Sequence, residues 1–284
     1  MATFTNQATL SYNNTTTNSN VVVGELLDVL VATKTAVMDD YVAHDDVTYV
    51  ISIVNTGATP FTGLEIEDNL GAYPYSGTTL YPLTYVSGSI RYYINGAIQA
   101  APSVTAGPPL QITGINVPAN GNAMLIYEVE ANAYAPLDVD DNIENVAMIS
   151  GGGLTEPLEV KETIYTENLP LLTISKNLTP SSVVENGQLT YTFVILNMGN
   201  TAATAGDNVT VTDTFDPILT GLTVTFNGAP WNDPANYSYD SGTGIFTTVP
   251  GEITVDAATY IRDSVTHEWV VNPGVSFLTV TGTI

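Results

Sequence analysis

The sequence predicts an all-β protein of sandwich type. Three observations lead there: short alternating runs rich in Thr, Val, Ile and Tyr; interruption of those runs by Gly, Pro, Asn and Asp; and a scarcity of helix signals. The first run is "FTNQATLSY" (4–12), with Phe4, Asn6, Ala8, Leu10 and Tyr12 on one face and Thr5, Gln7, Thr9 and Ser11 on the other. "VTYVISIVNTG" (47–57), "SIRYYINGAIQ" (89–99), "AMLIYEVEA" (123–131), "LTYTFVILNMG" (189–199), "VTVTDTF" (209–215) and "LTVTFNGAPW" (222–231) follow in kind. The Asn-Gly pairs at 95–96 and 227–228 mark hairpin turns, since both residues tolerate the positive φ such turns need.

Strands at this spacing, joined by long connections, favour sandwiches of immunoglobulin type over barrels or propellers. With 284 residues the chain can build two domains, each burying its own core. The absence of Cys excludes thiol catalysis, Cys-ligated zinc and redox switching. Five basic residues against 29 acidic ones give a formal charge of -24, a field that repels nucleic acid and anionic membranes. No stretch is apolar enough to span a membrane, and no secretory leader is visible.

An internal repeat organises the chain. Residues 32–57 align without a gap on 174–199, placing Lys34 on Lys176, Tyr49 on Tyr191, Asn55 on Asn197 and Gly57 on Gly199. The match resumes with "LEIEDNL" over "VTVTDTF", which puts Asp68 on Asp213. After "AMLIYEVEA" the first copy supplies one more strand, "NIENVAMISGGG"; the second stops near the equivalent of "AMLIYEVEA". The missing strand has its counterpart at the other end of the chain, where residues 4–14 align on 143–153 with Asn6 on Asn145. The expected organisation is therefore an N-terminal donor strand and linker (1–24), sandwich one (25–168) and sandwich two (169–284), the last lacking its final strand. Donation of the N-terminal strand to a second copy gives a head-to-tail homopolymer. Folding back onto the same chain stays open, because residues 13–29 could span roughly 55 Å if extended.

Strand parity points Lys34, Asp68 and Asn145 into the first core, and Lys176 and Asp213 into the second. Buried together, such groups demand mutual satisfaction or chemistry. Burial lowers a lysine's pKa and raises a carboxyl's, which gives a neutral amine nucleophile and an acid able to polarise an amide carbonyl and relay protons. The expected product is a Lys-Asn isopeptide bond with release of ammonia: Lys34 would join Asn145 inside a subunit, and Lys176 would join Asn6 of the next, assisted by Asp68 and Asp213. A hydrogen-bonded Lys-Asp pair without a covalent bond is the alternative for each set.

This arrangement resembles the self-crosslinking immunoglobulin-like domains of Gram-positive pilins and adhesins. The repeat, through "VTYVISIVNTG", "GLEIEDN", "NIENVAMIS" and "LTYTFVILNMG", is similar to the repeat of bacterial and archaeal surface proteins known as domain of unknown function eleven. The resemblance implies a structural subunit of an extracellular filament on a bacterial cell or spore surface. It implies no enzyme beyond autocatalytic bond formation and no cofactor. With no leader visible and a clostridial cast to the repeat, a spore appendage is expected over an exported pilus. An adhesin with spacer repeats is the rival reading. The acidic runs "DDYVAHDD" (39–46) and "DVDDN" (138–142) read as solvated loops rather than calcium sites.

Overall fold

A computed structural model describes residues 2–26 and 28–284. The chain divides into two compact units: Met1–Asp39 with Asp46–Glu130 and Glu144–Thr163, and Asp40–Asp45 with Ala131–Ile143 and Ile164–Ile284. Among the described residues the regular structure is strand throughout, apart from one 3-10 turn at Ala205–Asp207. The architecture is that of β-sandwiches.

The N-terminus is a hairpin. Strand β1 (Ala2–Asn6) runs into β2 (Thr9–Tyr12), then turns back as β3 (Thr15–Asn18) and β4 (Val22–Leu26), with β1 paired to β4 and β2 to β3. Asn13 and Asn14 make the turn at φ 42° and 59°, a region Asn enters more readily than most residues. Residues 13–24, expected as linker, are thus mostly strand, as their Thr and Val content favours. Residues 3–23 are exposed throughout.

The next strands are β5 (Leu30–Ala36), β6 (Asp40–Tyr41), β7 (Asp46–Asn55), β8 (Phe61–Asp68), β9 (Tyr73–Tyr75), β10 (Thr78–Leu80) and β11 (Leu83–Tyr85). They are followed by β12 (Arg91–Ile94), β13 (Ala97–Ile98), β14 (Ser103–Ala106), β15 (Leu110–Val117), β16 (Gly121–Ala131), β17 (Asn142–Gly151) and β18 (Leu158–Thr166). One sheet has the order β13-β12-β16-β7-β5, with β11 also on β16; the facing one runs β14-β15-β8-β17-β18-β6. Alternate residues of β7 (Val47, Tyr49, Ile51, Ile53) are at most 1% exposed, as period-two burial requires. Leu64, Ile66, Leu110, Ile112, Ala147 and Ile149 meet them from the other sheet's inner face.

The second unit contains β19 (Leu172–Thr179), β20 (Gln188–Asn197), β21 (Thr212–Thr214), β22 (Thr220–Phe226), β23 (Ala229–Trp231), β24 (Tyr237–Asp240) and β25 (Ile245–Thr248). It ends with β26 (Thr259–Arg262), β27 (Trp269–Asn272) and β28 (Gly274–Thr283). The sheet β19-β20-β28-β22-β23 repeats β5-β7-β16-β12-β13 strand for strand. The other sheet, β21-β25-β24, repeats only β8-β15-β14. Where β8 lies between β15 and β17, β21 pairs with β25 on one side, and among the described residues no strand lies on the other. Its core is aromatic, with Tyr191, Phe193, Phe215, Phe226 and Phe246 in one cluster.

Candidate functional site

The first set is assembled from both sheets of its sandwich. Strand β5 carries Lys34, at an edge, with Val31, Thr33 and Thr35 exposed on its outer face. Strand β8 carries Asp68, and β17, its neighbour, carries Asn145 between the buried Ile143 and Ala147. The Lys34 and Asp68 side chains are fully buried, and Lys34 Nζ donates to Asp68 Oδ2 at 2.7 Å. Tyr127 donates its hydroxyl to the same oxygen, and the Leu70 amide donates to Oδ1 at 2.8 Å. Lys34 Nζ also lies 4.7 Å from the centre of the Tyr49 ring.

Burial pulls the Lys34 pKa below its ordinary value, against the upward pull of the Asp68 charge and hydrogen bond. The amine is thus poised towards its nucleophilic, unprotonated form. Burial pushes the Tyr127 and Tyr49 hydroxyls up, the Asp68 charge adding to each, so both stay protonated at neutral pH. The Asn145 amide works against that rise at Tyr49, yet neither group meets hydrogen-bond geometry with the other.

Asn145 stands out among the buried asparagines. Asn55 donates to the Thr59 and Pro118 carbonyls and accepts from the Gly57 amide. Asn197 repeats the pattern with Thr201, Asp256 and Gly199. Asn145 is equally buried, at 0% exposed, but neither Oδ1 nor Nδ2 has a hydrogen-bond partner among the described residues. Leaving such groups unpaired costs about 1–3 kcal/mol each. A bond from Lys34 Nζ to Asn145 Cγ would release Nδ2 as ammonia, removing one of the two orphaned groups.

The second set has the same parts, open to water. Lys176 pairs with Asp213, and its Nζ lies 4.3 Å from the centre of the Tyr191 ring, as Lys34 lies over Tyr49. The Lys176 side chain is nevertheless 39% exposed and Asp213 19%, against 0% for both residues of the first set. Ile174, two residues before Lys176 on the same face, is 55% exposed. The inward face expected from parity is present, but uncovered. Asn6 lies in the exposed hairpin opposite Val22, with Phe4 60%, Leu10 62% and Tyr12 57% exposed and Ala8 exposed as well.

Sequence reasoning missed Tyr127. Its position in "AMLIYEVEA" faces inward, but the residue holding the same register in the second copy is Val280, so comparing the copies conceals it. An inward tyrosine directly opposite Tyr49 was the available signal.

No protein-family model matches the chain, and no curated protein does. Solved structures of surface proteins are similar at low identity. The pilus backbone protein of Streptococcus pneumoniae is 10% identical over 86% of this chain and 55% of its own, with a TM-score of 0.35. A 35 kDa C-terminal fragment of the major pilin of Streptococcus agalactiae is 12% identical over 87% and 91%, with a TM-score of 0.36. The major pilin subunit of Bacillus cereus is 9% identical over 96% and 73%, with a TM-score of 0.37. The chain spans about half the length of the pneumococcal protein.

Proposed function

We propose that the chain is the structural subunit of an extracellular filament on a bacterial cell or spore surface. The N-terminal strand of one subunit completes the second sandwich of the next, head to tail, and Lys-Asn bonds lock the result. One observation carries this reading: the first Lys-Asp pair is sealed beside β17 and Asn145, while the second lies open beside a sheet edge that lacks that strand. An exposed edge over an open apolar face is an association template, and the strand whose sequence matches β17 is exposed at the N-terminus.

In the bond-forming step the unprotonated Lys34 amine attacks Asn145 Cγ, the Cγ–Nδ2 bond breaks and ammonia leaves. Asp68 carries the amine's proton to the departing nitrogen, and Tyr127 holds the carboxyl in place. Lys176, Asp213 and the Asn6 of another copy repeat the step at each junction once the donated strand excludes water. No cofactor takes part, and no substrate other than the chain is consumed. The partner is a second copy of the chain. Deleting residues 2–12 tests the assembly: fibres visible by electron microscopy should vanish, whereas a binding module with spacer repeats would stay soluble and active.

A further inference from the structure

We infer that the donated element is the whole N-terminal hairpin, so that two strands rather than one fill adjacent places beside β21 of the next copy. This rests on the strand-donation reading above and specifies what is donated. The place to be filled is two strands wide, since β8 is followed outward by β17 and then β18, and β21 by neither.

The hairpin matches β17 and β18 in both arms and at its tip. Seven residues after Asn145 the chain reaches Gly152 and Gly153, at φ 57° and 95°; seven after Asn6 it reaches Asn13 and Asn14, at φ 42° and 59°. The turn therefore begins at the same point in both segments, although only one of them uses glycine and its connection to the returning strand is three residues longer. For the returning arm, counting back without a gap from Lys34 and Lys176 sets Glu25 on Glu167 and Val22 on Ile164. Ile164 is 0% exposed in its sheet, while Val22 is 56% exposed in the hairpin.

The faces agree as well. Val22 lies directly opposite Asn6, and Gly24 opposite Phe4, so Val22 shares the face that carries Phe4 and Asn6, while Val23, opposite Thr5, lies on the other. The Phe4 ring occupies the space above Gly24: a Cβ there would come within 2.3 Å of Phe4 Cζ. That interlock makes the two arms one unit. If β1 and β2 were donated alone, the interlock would open and Val22 would stay in water.

Full-length Val22→Asp and Val23→Asp test this. Val23 lies opposite Thr5, on the other face, and both valines are exposed in the lone subunit, so neither change should alter its thermal unfolding. Assembly is read by sedimentation and electron microscopy, and amide exchange is compared between fibres and lone subunits. Val22→Asp should cut assembly by roughly tenfold or more, because it places a carboxylate against an apolar core, while Val23→Asp assembles like the wild type. Amides of residues 2–12 and of residues 15–26 should both exchange more slowly in fibres. Normal assembly of Val22→Asp, with only residues 2–12 protected, would overturn the two-strand inference and leave single-strand donation standing. Equal loss in both variants would overturn the facing argument. A wild type that forms no fibres would overturn both the inference and the reading beneath it.

Discussion

Replacing Asn145 with leucine separates the covalent and non-covalent accounts of the first site by sign. If Lys34 and Asn145 are only neighbours, the wild type buries two orphaned amide atoms, each costing about 1–3 kcal/mol. A leucine of the same branched shape removes that cost, and Asn145→Leu should match or exceed the wild type in stability. If the two are bonded, the wild type carries a closed loop of about 110 residues, which restrains the unfolded chain by about 4.7 kcal/mol on the loop-entropy scale used for disulfides. Asn145→Leu then loses most of that. At about 2–4 °C per kcal/mol for a body of this size, the melting temperature falls by about 10–20 °C. Thermal unfolding of purified subunits reads the sign, and intact mass reads the cause, because the bonded wild type weighs one ammonia less than its sequence. A variant as stable as the wild type, alongside a wild type of full sequence mass, would refute the bond.

Tyr127→Phe should keep the fold but cost about 1–3 kcal/mol and slow bond formation, since Asp68 loses a donor that its second-copy counterpart never had; mass spectrometry of freshly folded protein gives the bonded fraction over time. In Asn145→Leu the Lys34 amine remains titratable, with a folded-state pKa below 10.5. The folded subunit then holds fewer protons than the unfolded chain between those two values, so stability rises with pH across that window and the deficit is largest below it. Urea midpoints at about pH 7 and about pH 9.5 should show the gap to the wild type narrowing, because a Lys34 nitrogen bonded to Asn145 is a neutral amide that titrates in neither state. Asn6→Ala should leave the internal bond intact while its fibres fall apart into single subunits in hot detergent; persistence of multimers on denaturing gels would place the junction bond elsewhere. Asp213→Ala should have the same effect through loss of the acid beside Lys176.

Much of this was legible in the sequence because strands and core parity share a period of two. Lys34, Asp68 and Asn145 could be placed inward by counting from Leu30, Leu64 and Ile143, and each is buried. The repeat carried Lys176 and Asp213 to equivalent places. Parity could not reveal that Lys176 is solvated, since exposure depends on whether a neighbouring strand is present, and alternation along β19 is silent on that. The hairpin return over residues 15–26 was hidden for a different reason. Asn13-Asn14 is a weaker turn signal than Asn-Gly, and the Thr-rich run after it lacks alternation. Tyr127 was invisible because a repeat comparison rewards what is shared, and Val280 breaks the match.

The central claim is a covalent head-to-tail fibre, and denaturing electrophoresis of assembled protein followed by mass spectrometry of the bands bears on it most directly. The expected result is a ladder of multimers that survives boiling in detergent. Each rung should be lighter than the summed sequences by one ammonia per internal bond and one per junction, with a peptide joining Lys176 to Asn6. A single band of monomer at full sequence mass, recovered from fibres seen beforehand by electron microscopy, would contradict it.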